Sequence, residues 1–246
     1  MKYIAAVFFN LWKLYIGLVF AFFLLLFYPF LFLCIKVKAW QKHAFKISVL
    51  WSYCMRIFCF YAVRVEGKKN IPEGPYIICA NHTSYLDIFL MYSILPEHKF
   101  LFLGKSEILS YPLVKTFFKN YNIPVFRKDR LKAAKSFIEC KKAVDKGWSL
   151  AIFPEGGIPD ENLPQMMEFK EGAFQLAKKC KVPIVNLTFI NNYKLFSDPD
   201  HVLSPSGPGL SRVKFHATIS KEEVAAMSVE ELKLKVRAQI ESAIEN

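Results

Sequence analysis

The stretch Tyr76-Ile77-Ile78-Cys79-Ala80-Asn81-His82-Thr83-Ser84-Tyr85-Leu86-Asp87 is the most informative part of this 246-residue chain. Its first five residues form an apolar run typical of a buried strand, and the residues from Ser84 onward have the pattern of a helix start. Histidine titrates close to neutrality, so His82 at the strand exit is suited to proton transfer. A carboxylate against its second ring nitrogen, here Asp87, would fix the tautomer and stabilise the imidazolium. The segment therefore predicts a general-base pair.

The same two residues also have a purely structural interpretation. Five positions turn an ideal helix by about 500°, so His82 and Asp87 meet only if His82 precedes the helix and its ring folds back. With Ser84 as N-cap, Asp87 would occupy the third helical position, where a capping-box carboxylate belongs. Asp87 would then be a cap and His82 an ordinary loop histidine.

Apolar runs alternate with helical patterns along the rest of the chain. The runs typical of strands are Tyr61–Val65, Tyr76–Ala80, Phe100–Leu103, Ile123–Phe126, Ser149–Phe153, Ile184–Phe189 and Val213–Ile219. The helical patterns are Tyr85–Ser93, Glu107–Lys119, Asp129–Asp145, Lys170–Lys179 and Val229–Glu245, the last with Ser228 as N-cap. This alternation predicts an α/β fold with a mixed, partly parallel sheet flanked by helices. Residues 191–211, rich in Asn, Pro, Ser and Gly, are predicted to form a surface loop.

An N-terminal membrane-embedded helical segment is also predicted. Leu14 to Ile35 contains no charged residue, and as a helix it is roughly 33 Å long, enough to cross a hydrocarbon core of about 30 Å. It is too long for the apolar region of a cleaved signal peptide, and it ends without small residues. We therefore expect residues 1–63 to anchor the chain in a membrane and residues 64–246 to form the α/β domain.

A second apolar stretch, Ile47 to Val63, is interrupted by Arg56. It is either a helix in the membrane interface with Arg56 at headgroup level, or a core helix of the main domain. Basic residues are more numerous after the first apolar stretch than before it: Lys36, Lys38, Lys42 and Lys46. The positive-inside tendency then places the main domain on the cytoplasmic face of the inner membrane.

Charge and cysteine content limit the possible partners. The formal net charge of +12 would draw the chain towards anionic lipid beside a membrane anchor. No zinc-finger spacing or aromatic RNA-binding signature is present, so we expect no nucleic acid partner. The six cysteines form no C-x-x-C pair and no ligand spacing with the five histidines, so no metal site is expected.

Other predicted strands also end in polar residues. Ser149–Phe153 continues into Pro154-Glu155-Gly156-Gly157, whose glycines let backbone N–H groups approach a phosphate. The run at 123–126 ends at Arg127, a rigid fork of donors suited to phosphate, and Lys105 follows another run. Strand ends and helix starts meet at one edge of such sheets, so we expect a cationic, phosphate-binding rim there. Each residue could equally be an ordinary turn or surface charge.

Together these segments resemble the glycerolipid acyltransferase family, the bacterial 1-acylglycerol-3-phosphate acyltransferases in particular. Four blocks in fixed order carry the resemblance, over about residues 65–190. They are Asn81–Asp87; Gly104–Glu107 with Ile123–Arg127; Phe153–Gly156; and Val182–Val185, preceded by Phe169–Phe174.

The resemblance implies transfer of an acyl chain from acyl-ACP or acyl-CoA to the free hydroxyl of 1-acylglycerol-3-phosphate, giving phosphatidic acid. It implies no cofactor beyond the acyl carrier protein or coenzyme A thioester, and its other partners would be the lysophospholipid acceptor and the lipid bilayer. The catalytic residues would be His82 and Asp87. The substrate-binding residues would be Asn81, Lys105, Arg127, Glu155, Gly156, Gly157 and Lys170.

The chain departs from the family pattern in its third block. That block normally continues with Thr or Ser and then Arg, whereas this chain has Gly157 and Ile158. Arg127, Lys105 or Lys170 would supply the missing charge, or the acceptor would be a different lysolipid, such as a lyso-aminolipid. A non-catalytic membrane-anchored lipid-binding protein is the alternative outside the enzyme class.

Overall fold

The computed structural model describes residues 2–37, 40–69, 71–110, 112–159, 163–197, 199 and 201–244. Its helices are α1 (Lys2–Lys36), α2 (Gln41–Phe58), α3 (Leu86–Ile94), α4 (Pro112–Tyr121), α5 (Arg130–Asp145), α6 (Gly172–Cys180), α7 (Asn192–Leu195), α8 (Lys221–Ala226) and α9 (Val229–Glu241). Its strands are β1 (Tyr61–Glu66), β2 (Ile77–Ala80), β3 (Phe100–Lys105), β4 (Ile123–Val125), β5 (Ser149–Ile152), β6 (Ile184–Phe189) and β7 (Gly209–Phe215). A 3-10 helix, Ser106–Ser110, precedes α4.

Within the described residues, seven strands form one sheet in the order β1-β7-β6-β2-β5-β3-β4. The five strands from β6 to β4 run parallel, β7 is antiparallel to β6, and β1 is parallel to β7. This confirms the predicted α/β class with a mixed, partly parallel sheet, and most of the sheet is parallel. Since the five parallel strands point the same way, their carboxyl ends lie along one edge of the sheet.

Burial separates the central strands from the outer ones. Every residue of β2, β5 and β6 is buried, whereas buried and accessible residues alternate along β1. Strands covered on both faces are built from continuous apolar runs, which explains why the sequence pattern located them within one residue. The sheet begins at Tyr61, so the boundary predicted between residues 63 and 64 falls inside β1.

The predicted surface loop at 191–211 is the largest difference from expectation. This segment contains α7 and the start of β7, and Asn192, Ser206 and Ser211 within it are fully or almost fully buried. Correspondingly, the last strand begins at Gly209 and ends at Phe215 instead of covering residues 213–219. The polar side chains were misleading because they are buried against one another and against backbone carbonyls.

Helix α2 has two different sides. Phe45 packs edge-on against Phe100 in the core, and Ser52 Oγ donates to the backbone oxygen of Phe89 in α3, while Leu50 and Ile57 are exposed. On its inward side, α2 therefore packs as a core helix of the main domain, which is the second of the two predicted interpretations. That the outward side of α2 lies in the membrane interface stays a prediction. Lys38, one of the basic residues on which the predicted orientation rests, lies outside the described residues.

Helix α1 lies along the domain and presents an apolar stripe to the outside. Phe20 stacks on Trp51 of α2, with ring centroids 5.2 Å apart, and Lys13 Nζ donates to the backbone oxygen of His201 at 2.7 Å. On the opposite side, residues about 60% exposed recur at helical spacing: Val7, Leu11, Leu14, Leu18, Phe22 and Leu25. Among the described residues, α1 is the one helix long and apolar enough to cross a membrane. A stripe of this kind is typical of a surface in contact with a membrane or with another protein.

Candidate active site

The carboxyl edge of the parallel strands gathers most of the predicted site. His82 follows β2, Glu155 and two glycines follow β5, Lys105 ends β3, and Arg127 follows β4. The strand order places β2, β5, β3 and β4 side by side. These residues are up to 75 positions apart in sequence, and the sheet topology brings them to one rim.

His82 and Asp87 are in direct contact. The His82 Nδ1 and Asp87 Oδ2 atoms are 3.0 Å apart, Asp87 is fully buried, and His82 is 8% exposed. Because the carboxylate can only accept a hydrogen bond, the neutral imidazole carries its proton on Nδ1. This leaves Nε2 as the nitrogen that can accept a proton from a bound substrate.

Phe153 supports the imidazole from the side. Its ring stacks on that of His82 with centroids 4.0 Å apart and an angle of 13° between the planes. Phe102 extends this stack, with its centroid 6.1 Å from that of Phe153. The ring of His82 is thus held by a hydrogen bond in its plane and by an aromatic ring across its face.

Asp87 combines the two roles that the sequence left as alternatives. Helix α3 begins at Leu86, one residue later than predicted, and its N-cap is Tyr85 rather than Ser84. Asp87 Oδ2 nevertheless accepts the backbone N–H groups of Thr83 and Ser84, at 2.8 and 2.9 Å, in addition to His82 Nδ1. The same carboxylate therefore shapes the loop and orients the histidine.

A further contact to Asp87 comes from a residue that the sequence analysis missed. Asn192 is fully buried at the start of α7, and its Nδ2 atom donates to Asp87 Oδ1 at 2.7 Å. The sequence did contain a signal for Asn192, because this residue closely follows the buried strand β6 and so lies at the same edge of the sheet as His82. The polar composition of residues 191–211 concealed it.

Glu155 was predicted to bind substrate, but the structure gives it another position. It is 2% exposed, and its two carboxylate oxygens accept the backbone N–H groups of His82 and Met167, each at 2.8 Å. Burial raises the pKa of the Glu155 carboxyl to about 7, and the charge of Asp87 acts in the same direction. Glu155 thus fastens the loop after β5 to the backbone of His82.

Asn81 also differs from its predicted substrate-binding role. It is fully buried, and both polar atoms of its amide bond to the backbone of Phe189: Nδ2 donates to the oxygen at 3.0 Å, and Oδ1 accepts from the nitrogen at 2.8 Å. The amide joins the exit of β2 to the exit of β6. Its hydrogen bonds are used inside the protein.

The remaining predicted residues form a cationic rim. Arg127 Nη1 donates to the backbone oxygen of Gly156 at 3.1 Å. Lys170 is close enough to the other cations for its pKa to be lowered, first by partial burial and then by the charges of Arg127 and Lys105. Like charges held together in this way favour a bound anion.

The two glycines create the space that these cations occupy. A Cβ atom at Gly156 would lie 2.5 Å from Arg127 Nη2, and one at Gly157 would lie 2.5 Å from Lys105 Nζ. Gly156 also has a φ of +80°, which side chains rarely adopt. The family pattern has Thr or Ser at the position of Gly157. Because Gly157 has no side chain, the ammonium group of Lys105 can occupy that space.

The rim opens into a cavity of about 850 Å³. One part is lined by His82, Lys105, Arg127 and the two glycines, and the rest by apolar residues from α1, α2, α3 and α4, including Phe20, Leu24, Leu31, Phe89 and Phe117. Its size and its few polar groups among apolar walls are typical of a small-molecule site. No group of three or more potential metal ligands occurs among the described residues.

Residues 62–190, just over half of the chain, match the model of a family described as Acyltransferase. The chain belongs to the acyltransferase family. The matched residues include β1 except Tyr61, the strands β2 to β6, the histidine–aspartate pair and the cationic rim.

Individual relatives of this acyltransferase-family chain carry similar names. It is 29% identical over 171 residues to the chloroplastic 1-acyl-sn-glycerol-3-phosphate acyltransferase BAT2 of Brassica napus, which covers 68% of this chain and 48% of that protein. It is 31% identical over 191 residues to the 1-acyl-sn-glycerol-3-phosphate acyltransferase of Saccharomyces cerevisiae, which covers 76% of this chain and 61% of the relative. The chain thus spans about half to three fifths of the length of these relatives.

The fold is that of a solved acyltransferase. The crystal structure of the 1-acyl-sn-glycerophosphate (LPA) acyltransferase PlsC from Thermotoga maritima superposes with a TM-score of 0.75 at 22% sequence identity. The match covers 98% of this chain and 95% of that one. At this identity the likeness concerns the fold, and the long N-terminal helix is part of the matched length.

The raised pKa of Glu155 predicts a specific pH dependence of stability. A carboxyl group whose pKa is higher in the folded state binds protons on folding, so its contribution is full below about pH 4.5 and is lost as the pH rises towards 7. We expect the Tm of the wild type to fall over this window by more than that of Glu155→Gln. The contribution is on the order of 3 kcal/mol.

Thermal unfolding of both proteins in detergent between pH 4.5 and 8 tests this expectation. Glu97→Gln is a suitable control because Glu97 is exposed at the opposite edge of the sheet. Parallel Tm curves for the wild type and Glu155→Gln would show that Glu155 has an ordinary pKa.

Proposed function

We propose that this protein transfers an acyl chain from an acyl thioester to the free hydroxyl of 1-acylglycerol-3-phosphate, producing phosphatidic acid. The observation that carries the proposal is the position of the His82–Asp87 pair, at the mouth of a largely apolar cavity and beside a cationic rim. The cavity suits acyl chains and the rim suits a phosphate monoester. The names of the relatives agree with this reaction.

The proposed chemistry begins at His82. An alcohol is a poor nucleophile while it keeps its proton, so Nε2 accepts that proton as the hydroxyl oxygen attacks the thioester carbonyl carbon. Asp87, bonded to Nδ1, stabilises the imidazolium that forms. The tetrahedral intermediate then collapses, the carbon–sulfur bond breaks, and the thiolate leaves and takes up a proton. No enzyme nucleophile takes part.

Lys105, Arg127 and Lys170 bind the acceptor phosphate in this proposal. Arg127 is held in place through the backbone oxygen of Gly156, and Lys105 lies over Gly157, where the family pattern places Thr or Ser. Lys105 can therefore replace the charge of the absent third-block arginine. This arrangement favours a phosphate-bearing acceptor over a lyso-aminolipid, which is the second candidate.

The reaction takes place at a membrane surface in this proposal. The exposed apolar stripe of α1 contacts lipid, and the greater number of lysines after the first apolar stretch supports a site on the cytoplasmic face of the inner membrane. The acyl donor is a thioester of acyl carrier protein or of coenzyme A, and both have the leaving group that the mechanism requires.

The first test is thiol release by the purified protein in detergent or liposomes. We expect His82→Ala to lower kcat by at least about 100-fold, because general-base catalysis contributes about 10² to 10⁴ in rate. His98→Ala is the matched control, since His98 is a partly buried histidine that precedes β3 at the opposite edge of the sheet. Transfer at the wild-type rate by His82→Ala would remove the base assignment. Absence of thiol release by the wild type across donors and acceptors would favour a lipid-binding protein.

The second test concerns the rim. Lys105→Ala and Arg127→Ala should each raise the KM for lysophosphatidate by about 10-fold or more, the scale of one charge-assisted hydrogen bond. The KM for a lysolipid with an uncharged headgroup should change little. Lys146→Ala serves as control because Lys146 is exposed at the opposite edge, just before β5. Equal changes for both acceptors would contradict phosphate binding by the rim.

A further inference from the structure

Asn192 forms a hydrogen-bonded link between Asp87 and β7. Its Nδ2 atom donates to Asp87 Oδ1 at 2.7 Å, and its Oδ1 atom accepts from Ser211 Oγ at 2.6 Å. All three residues are fully buried. Asn192 and Ser211 both lie beyond residue 190, where the match to the family model ends.

The orientation of the Asn192 amide is set by its two neighbours. An ionised carboxylate can only accept hydrogen bonds, so the amide must turn its NH₂ group towards Asp87. Its oxygen then faces Ser211, whose hydroxyl group donates. The carboxylate of Asp87 thus excludes the turned-over amide, and Ser211 holds the remaining orientation by donating to the amide oxygen.

The two oxygens of Asp87 are occupied from different parts of the fold. Oδ2 accepts from His82 Nδ1 and from the backbone N–H groups of Thr83 and Ser84. Oδ1 accepts from Asn192, on the far side of the carboxylate. Without that bond, Oδ1 is left buried without the Asn192 donor and the carboxylate is held through Oδ2 alone, so its rotation is less restrained and Oδ2 is less firmly aligned with the imidazole.

We propose that Asn192, held by Ser211, is a positioning residue that keeps Asp87 Oδ2 directed at His82 Nδ1. It does not touch substrate and acts through Asp87. Its effect on turnover rests on the proposed acyl transfer, whereas its effect on the His82–Asp87 hydrogen bond does not.

Asn192→Leu tests the proposal, because leucine has a similar size and no donor. We expect kcat to fall by about 10- to 100-fold, the rate equivalent of one hydrogen bond to a charged group. The KM values for acyl donor and acceptor should stay within about twofold, because neither the rim nor the cavity is touched. Ser211→Ala should also lower kcat, but by less than Asn192→Leu. It tests the proposal if Asn192→Leu does not fold.

Asn186→Leu is the matched control. Asn186 is another fully buried asparagine, in the neighbouring strand β6, and its Nδ2 atom donates to Gln239, not to the site. This variant should show any loss of Tm that comes from removing a buried amide while keeping the wild-type kcat. A loss of kcat equal to that of Asn192→Leu would overturn the positioning role.

A double variant separates action through Asp87 from a general effect on the fold. Once Asp87→Ala has removed the carboxylate, adding Asn192→Leu should lower kcat no further. If the two substitutions multiply their losses, Asn192 does not act through Asp87 and the proposal fails.

The hydrogen bond can also be observed without activity. The chain has five histidines, so ¹⁵N-histidine labelling gives a small NMR spectrum in which His82→Ala identifies the His82 signal. We expect Asn192→Leu to shift the Nδ1–H resonance of His82, and Asn186→Leu to leave it in place. An unchanged resonance in Asn192→Leu would overturn the inference. A wild type that releases no thiol, with the resonance shifted in Asn192→Leu, would refute the proposed function alone.

Discussion

Burying a carboxylate is costly unless its oxygens accept hydrogen bonds from the protein. Asp87 is fully buried, and four donors reach it, from the ring of His82, the backbone of Thr83 and Ser84, and the amide of Asn192. These donors come from the loop after β2 and from α7, beyond β6. The need to hydrogen-bond this one buried carboxylate therefore brings the two segments together. The same need sets the direction of the His82 ring.

The rim next to this pair holds several positive charges close together. Lys105, Arg127 and Lys170 lie near one another, and their mutual repulsion contributes to the lowered pKa of Lys170 after burial. Gly156 and Gly157 permit this crowding because a Cβ at either position would collide with a cation. The protein thus holds one buried, hydrogen-bonded carboxylate beside a group of positive charges that an anion would stabilise.

Local patterns predicted most of the fold and the central pair of the site. The strands β2, β5 and β6 are continuous apolar runs, and His82 and Asp87 are close enough in sequence for one loop to bring them together. The contact of Asn192 with Asp87 spans 105 residues, so no local pattern contains it. Glu155 and Asn81 were located correctly at strand ends, but residue type alone does not show whether a polar group faces a ligand or the backbone.

Helix α1 has two sides with different surroundings. One side carries the exposed stripe that includes Leu14 and Leu18, and the other contributes Phe20, Leu24 and Leu31 to the wall of the cavity. A helix is only about 10 Å thick, so the surroundings of the exposed stripe and the cavity beside His82 are separated by the thickness of one helix. Removing α1 would open the cavity along this wall. A truncation that takes away the exposed apolar stripe therefore also takes away part of the space beside His82.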